Sequence, residues 1–181
     1  MKLQYKNQQF QLDAVNAVTA VFEGQPKQNG LSYMMDMGAN PNIRLDVANT
    51  GFKNEDIALA DDELLRNIKA IQKENGILSD NKLVKMAIGG KDKATKRDNS
   101  RESLTLTVEM ETGTGKTYTY IRTMFELHQQ YGWSKFIIVV PSIAIREGVA
   151  KTFESTAEHF KTEYGLSLIH ISEPTRRSYI S

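Results

Sequence analysis

The chain has 181 residues, 40% apolar and 25% charged, and its 23 basic and 22 acidic side chains give a formal net charge of +1. This balance excludes the strong global basic field that draws a protein to nucleic acid. The absence of cysteine excludes disulfides, thiolate metal sites and cysteine nucleophiles. Because no apolar run approaches the roughly 20 residues that cross a bilayer and the first residues lack a secretory signal, we expect a soluble cytoplasmic protein without a membrane partner.

The first predicted helix covers roughly residues 8–22. Asn7 is its expected N-cap, and Gly24 followed by Pro26 ends it. Apolar side chains recur on one face of this helix, at Phe10, Ala14, Ala17, Val18 and Val21. Residues 25–51 have weak periodicity and are predicted to form a loop with short strands.

A second helix is predicted over about residues 62–75. Asp61 or Asp62 would cap its start, where exposed N–H groups and the helix dipole favour an anion. Gly76 is expected to end it in the left-handed conformation of a Schellman motif. The apolar stripe of this helix consists of Leu64, Leu65, Ile68 and Ile71.

The second half of the chain predicts a strand, a helix and a strand. Apolar and polar residues alternate over 104–108, the helix covers 116–131 with Gly132 as its stop, and residues 136–140 form a continuous β-branched run. Two strands joined by a helix within ~35 residues make a parallel βαβ crossover. We therefore expect an α/β fold with a parallel βαβ core, followed by a last helix over about 145–164.

The most informative motif lies between the first of these strands and the helix, and reads Met110-Glu111-Thr112-Gly113-Thr114-Gly115-Lys116-Thr117. The two glycines permit a sharp turn whose N–H groups face one concavity, and the helix adds its positive end. Lys116 would reach the β- and γ-phosphates of ATP, and the Thr117 hydroxyl would ligate Mg²⁺. The candidate ATP-binding residues are Thr112, Gly113, Thr114, Gly115, Lys116 and Thr117. The alternative is a plain glycine turn before a helix, and Met110 stands where the strict pattern has glycine.

Two segments resemble a known family. TVEMETGTGKTYTYIRTMFEL and KFIIVVPSIAIREGV look like motifs I and Ia of superfamily 2 helicase-type translocases, in particular of the Res (restriction) subunit of type III restriction-modification enzymes. Motif I of that family commonly reads METGTGKT, which accounts for Met110. The resemblance covers about residues 1–165. It implies a partial RecA-like P-loop NTPase domain with an N-terminal helix and a helical insertion before motif I.

The resemblance also implies roles for single residues. Gln11, in a segment similar to the family's glutamine motif, would recognise adenine; the alternative is an ordinary surface glutamine on an amphipathic helix. Pro141, Ser142 and Arg146 in motif Ia would contact the DNA backbone at the carboxyl end of a strand. The alternative there is a strand-ending proline and a solvated arginine paired with a neighbouring glutamate.

The family implies chains several times longer, so we expect an N-terminal piece with four segments. These are a helix with the glutamine motif (1–24), an insertion with one helix (25–101), the P-loop core (102–165) and a tail resembling a translated sequencing adapter (166–181). The acidic motif II and a nuclease centre are missing, so no catalytic residue is assigned, and we expect this piece alone neither to hydrolyse ATP nor to cut DNA.

The implied parent is an ATP-dependent type III site-specific deoxyribonuclease. It would use ATP hydrolysis to translocate or switch on double-stranded DNA and then cleave it, alongside a Mod methyltransferase subunit that reads the site. The alternatives are another superfamily 2 motor, such as a type I restriction motor or repair helicase, and a nucleotide-binding module without hydrolysis. A small P-loop nucleotide kinase fits poorly, because ~110 residues precede the phosphate loop.

Overall fold

The structure is a computed structural model that describes residues 6–27, 35–36, 51–52, 54–88 and 101–165. The chain divides into two compact units, residues 7–138 and a unit of residues 1–6 with 139–181. The elements in chain order are α1 (Gln9–Ala20), β1 (Met35–Asp36), β2 (Gly51–Phe52), α2 (Asp61–Glu74), β3 (Lys85–Ile88), β4 (Arg101–Leu104), α3 (Lys116–Tyr131) and α4 (Ile143–Tyr164).

The described strands form two small antiparallel pairs. β1 pairs with β2 over two residues, in the region predicted to be a loop with short strands. β3 pairs with β4, with Lys85 opposite Leu104 and Ile88 opposite Arg101. The Thr105 N–H adds one further bond to the Val84 carbonyl oxygen at 2.9 Å.

The structure differs from the predicted parallel core. β4 ends at Leu104, and residues 105–111 and 132–140 are irregular. An extended segment becomes a strand only when its backbone groups pair with a neighbour. Among the described residues, pairing on the first run stops after the Thr105 N–H, and none of the described strands pairs with residues 132–140. The β-branched run is accordingly open to solvent, with Ile137 85% and Val139 88% exposed. The alternating pattern was thus correct only at its first residue, Leu104.

Local end signals place the helices well. α3 spans Lys116–Tyr131 and stops at Gly132 in the left-handed region, as predicted. α2 ends in the predicted Schellman motif, because the Ile77 N–H bonds to the Gln72 carbonyl and Gly76 has a φ of +66°. Its start is one residue earlier than predicted, and the N-cap is Ala60 rather than the predicted Asp61 or Asp62. The Glu63 carboxylate accepts the Ala60 N–H at 2.9 Å.

The start of α1 differs from the prediction. The N-cap is Gln8 rather than Asn7, and the Gln8 side chain makes no capping hydrogen bond. The Asn7 amide oxygen instead accepts a hydrogen bond from Arg122 at 2.7 Å. Arg122 of α3 therefore bonds to the side chain that the sequence predicts as the cap of α1.

The core of the 7–138 unit gathers α1, α2, α3 and the residues that follow each of them. Three aromatic rings form its centre: Phe22 meets Trp133 edge-on at 5.0 Å and Tyr131 edge-on at 6.2 Å between ring centroids. Around them the buried cluster is completed by Val21, Leu64 and Leu127. The Tyr131 hydroxyl donates to the Thr19 carbonyl at 2.9 Å, which ties α3 to the end of α1.

In the unit that contains α4, the helix begins two residues earlier than predicted. The Ser142 hydroxyl caps it by accepting the Ile145 N–H at 3.3 Å, and Gly165 ends it with a φ of +65°. Its buried residues are Phe153, Thr156 and Phe160. Within the described ranges, no helix combines the length and the apolar character that a bilayer span requires. The expected non-native tail, residues 166–181, lies outside the described residues.

Candidate nucleotide-binding site

The predicted phosphate loop is a turn that leads directly into α3. Gly113 and Gly115 have φ values of +83° and +84°, a conformation that side-chain-bearing residues rarely adopt. Gly115 is the N-cap of α3, and a glycine has no side chain with which to cap the first-turn N–H groups. The loop is therefore one turn with two left-handed glycines that leads into the positive end of a 16-residue helix, an arrangement that favours a nearby anion.

Two side chains converge on one carbonyl oxygen inside this loop. The Lys116 ammonium donates to the Glu111 carbonyl at 2.5 Å, and the Thr114 hydroxyl donates to the same oxygen at 2.6 Å. Lys116 is exposed and bonds back to the loop residue five positions before it. A cation is thus held beside the turn.

Gln11 lies against the loop although 103 residues separate it from Thr114. Its side-chain nitrogen donates to the Thr114 carbonyl at 2.8 Å. The approach is close, because a Cβ placed on Gly115 would lie 2.6 Å from that nitrogen. α1, which carries Gln11, packs directly on α3. The structure therefore brings together Gln11 and the loop residues that the sequence analysis selected separately.

Thr117 occupies the second position of α3 and is half-buried. Tyr120, one turn later, has a buried hydroxyl, and burial raises the pKa of this phenol by more than the neighbouring Thr117 side chain lowers it. Among the described residues, no three histidine, aspartate or glutamate side chains come together as a metal-binding group. Since Mg²⁺ in nucleotide sites needs only one or two protein ligands besides phosphate and water, the Thr117 hydroxyl fits that chemistry.

The motif Ia residues lie in the other unit, at the start of α4. The residues before them are irregular, so they do not follow a strand as expected. Ser142 is the N-cap, and its hydroxyl is engaged with the Ile145 N–H. Pro141 and Arg146 are exposed. A capping serine, the first N–H groups of a 22-residue helix and an exposed arginine remain chemically suited to a phosphate.

Sequence reasoning missed Arg122, the buried cation of α3. It is 6% exposed, and its Nη1 donates to the Asn7 side chain at 2.7 Å and to the Tyr118 hydroxyl at 3.2 Å. The only signal in the sequence was an arginine between the apolar positions Ile121 and Phe125 of a helix. The hydrogen-bond partner of Arg122 cannot be predicted from this pattern, because Asn7 is 115 residues away in the sequence.

Comparison with known proteins identifies the family. The family model described as type III restriction enzyme, res subunit, matches residues 60–177. The type III restriction-modification enzyme EcoP15I Res subunit of Escherichia coli is 35% identical over 130 residues, which cover 71% of this chain and 12% of that protein. The EcoPI Res subunit of Escherichia phage P1 is 35% identical over 161 residues, which cover 88% of this chain and 14% of that protein. The StyLTI Res subunit of Salmonella typhimurium is 54% identical over 59 residues, which cover 32% of this chain and 6% of that protein.

This chain therefore spans 12–14% of the length of the first two relatives. The family carries a P-loop helicase-type fold, in agreement with the glycine turn and helix around Lys116. The family match spans most of the chain and includes that turn. On these grounds the chain belongs to the type III restriction enzyme Res-subunit family.

Proposed function

We propose that this chain is the ATP-binding portion of a type III Res subunit and that residues 112–117 hold the triphosphate of Mg-ATP. The observation that carries the proposal is the pair of left-handed glycines, Gly113 and Gly115, placed directly before the start of α3. Backbone N–H groups in such a turn are fixed dipoles, so they bind phosphate oxygens without reorganising.

Lys116 supplies the mobile charge of the site. Its ammonium donates to the Glu111 carbonyl at 2.5 Å, and it can exchange that neutral acceptor for the β- and γ-phosphate oxygens. After the exchange both donor and acceptor are charged, and an ammonium is attracted more strongly to a phosphate oxygen than to a neutral carbonyl, so the exchange favours binding. Thr117 would place its hydroxyl on Mg²⁺, and the ion supplies charge neutralisation for the phosphates when it is bound.

Gln11 is proposed to read the base. A side-chain amide carries one acceptor and two donor positions, which match the N6–H donor and N7 acceptor of adenine. Its contact with the Thr114 carbonyl keeps this amide beside the phosphate loop. A base and a triphosphate of one nucleotide could therefore be held from two helices, α1 and α3.

The wider activity follows from the family and is proposed for the longer protein. That enzyme would couple ATP hydrolysis to translocation or switching on double-stranded DNA and to its cleavage, together with a Mod methyltransferase subunit. Pro141, Ser142 and Arg146 would contact the DNA backbone. This chain alone is expected to bind ATP without turning it over.

The parallel βαβ core implied by the family also belongs to this proposal. Residues 104–108 and 136–140 would be neighbouring strands of a larger sheet. The support is the exposure of Ile137 and Val139, since a run this apolar is typical of a strand covered on both faces.

Isothermal titration calorimetry of Mg-ATP tests the ATP-binding proposal. Lys116→Ala is expected to weaken binding by about 1.5–3 kcal/mol, because a charge-assisted contact is lost. Lys82→Ala removes the same charge from an exposed loop and is expected to leave the affinity unchanged. Equal affinities for the Lys116→Ala variant and its parent would overturn the assignment.

A further inference from the structure

Arg122 is a buried cation of α3 that bonds to Asn7, two residues before α1, and to Tyr118 of its own helix. Taking a guanidinium out of water is costly unless hydrogen bonds replace the water, and two acceptors are supplied here. Its Nη1 donates to the Asn7 amide oxygen at 2.7 Å and to the Tyr118 hydroxyl at 3.2 Å. One nitrogen thereby joins Asn7, two residues before α1, to the first turn of α3.

The first of these contacts fixes the start of α1. Asn7 lies two residues before the helix and four before Gln11. A helix advances about 1.5 Å per residue and is stiff over one turn, so the position of its first residues sets the position of Gln11. Asn7 does not cap the helix, and its amide oxygen serves the tertiary contact instead.

The second contact reaches the phosphate loop. Tyr118 directly follows Thr117 and is buried, and its Cβ lies within 4.0 Å of where a Cβ on Gly115 would be. The Arg122 guanidinium therefore bonds both to Asn7, which leads into α1, and to Tyr118 in the first turn of α3. These two contacts lie in the same two segments of the chain as the hydrogen bond between the Gln11 side chain and the Thr114 carbonyl, which measures 2.8 Å.

We propose that Arg122 is a positioning residue of the nucleotide site, which acts through Asn7 and Tyr118 to set the Gln11 amide against the phosphate loop. The inference rests on the proposed function, since the Gln11 amide matters only if a base is read there. Its consequence is specific. Losing these Arg122 contacts lowers the affinity for ATP, which uses Gln11, and spares a triphosphate without a base.

The test compares Mg-ATP with Mg-tripolyphosphate by calorimetry for two Asn7 variants. Asn7→Ala removes the acceptor at an exposed position, and Asn7→Asp keeps an acceptor oxygen for the guanidinium. We expect Asn7→Ala to lose about fivefold or more in ATP affinity at constant tripolyphosphate affinity, and Asn7→Asp to retain the parent values. Arg122→Lys, which keeps the charge and loses the planar fork, is expected to follow Asn7→Ala.

A purely structural role would lower the affinity for both ligands together or for neither, and either result would overturn the inference. Thr123→Val is the control, because Thr123 is buried on α3 and its hydroxyl donates to the Thr119 carbonyl of the same helix at 2.9 Å. It is expected to keep the ratio between the two ligands at the parent value.

A second measurement separates this inference from the proposed function. The side-chain amide signals of Gln11 can be followed by ¹⁵N NMR without any nucleotide. We expect them to shift in Asn7→Ala and to remain in place in Asn7→Asp. If the parent chain binds no Mg-ATP, the proposed function fails, and the NMR shift still decides whether Arg122 and Asn7 position Gln11. Unchanged Gln11 signals in Asn7→Ala would overturn the inference in either case.

Discussion

The side-chain nitrogen of Gln11 donates a hydrogen bond to the Thr114 carbonyl at 2.8 Å, across 103 residues of sequence. A Cβ at Gly115 would lie 2.6 Å from that nitrogen, so the Gln11 amide would have to move. The glycine thus serves the loop twice, through its left-handed backbone and through the close approach of α1. This contact makes α1 part of the candidate site rather than a helix that merely covers it.

The two loop glycines are expected to differ when each is replaced by alanine. Gly113→Ala and Gly115→Ala both place a side chain in the left-handed region, at a cost of about 1–2 kcal/mol each. A Cβ on Gly113 meets nothing within 4 Å, whereas one on Gly115 displaces the Gln11 amide. Urea unfolding should therefore show the larger loss of stability for Gly115→Ala. Equal losses would mean that Gln11 yields without cost.

The Thr117 hydroxyl is expected to determine how strongly Mg²⁺ assists ATP binding. Thr117→Val removes the hydroxyl at nearly constant volume, and Thr117→Ser keeps it. Titrations with and without Mg²⁺ should show that Thr117→Val loses most of the Mg²⁺-dependent gain in affinity and that Thr117→Ser retains it. A gain of the parent's size in Thr117→Val would contradict the ligand assignment.

Tyr131 is expected to contribute a pH-dependent part of the stability. Burial raises the pKa of its phenol, and the Glu23 carboxylate raises it further. A raised folded-state pKa stabilises the fold at pH values below the ordinary tyrosine pKa, about 10, and this stability is lost as the pH rises through the folded value. Tyr131→Phe should lower stability near neutral pH by about 0.5–1.5 kcal/mol through loss of the bond to Thr19.

Above pH 10, by contrast, the difference between Tyr131→Phe and the parent should shrink, since only the parent loses this stabilisation. Urea unfolding at pH 8 and at about pH 10.5 measures both quantities. A difference that stays constant with pH would argue against the raised pKa.

Ser142 allows its capping role to be separated from its proposed DNA contact. Ser142→Ala removes the cap of α4 and is expected to cost about 0.5–2 kcal/mol of helix stability. Ser142→Asp keeps a capping oxygen and adds a charge that the helix N-terminus favours but a phosphate repels. Fluorescence anisotropy with a short duplex should therefore rank DNA affinity as parent, then Ser142→Ala, then Ser142→Asp. If Ser142→Asp bound DNA as strongly as the parent, Ser142 would cap α4 and would not contact the DNA backbone.

Elements with local signals could be predicted from the sequence. α3 begins at Lys116 and stops at Gly132 because a glycine turn precedes it and a left-handed glycine follows it, and both features can be read within a few residues. The Schellman motif at Gly76 is predictable for the same reason. The loop residues 112–117 belong to this class, and they lie together at the start of a helix as the motif requires.

Features that depend on distant partners could not be predicted in this way. The run that contains Ile137 and Val139 has the composition of a buried strand, yet a strand needs a paired neighbour, and none of the described segments pairs with it. Asn7 is of a residue type that often caps helices, yet its side chain bonds to Arg122, 115 residues away. Periodicity reports which face of an element is apolar, and it carries no information about which element meets that face.

The most direct test of the account follows the backbone amides of residues 112–117 by ¹⁵N NMR during a titration with Mg-ATP. If their N–H groups hold the triphosphate, their signals should shift most in the chain, with Gly113 and Gly115 among the largest, and Lys116→Ala should require a higher Mg-ATP concentration for the same shifts. Unmoved loop amides at saturating Mg-ATP, or shifts confined to other parts of the chain, would contradict the central claim.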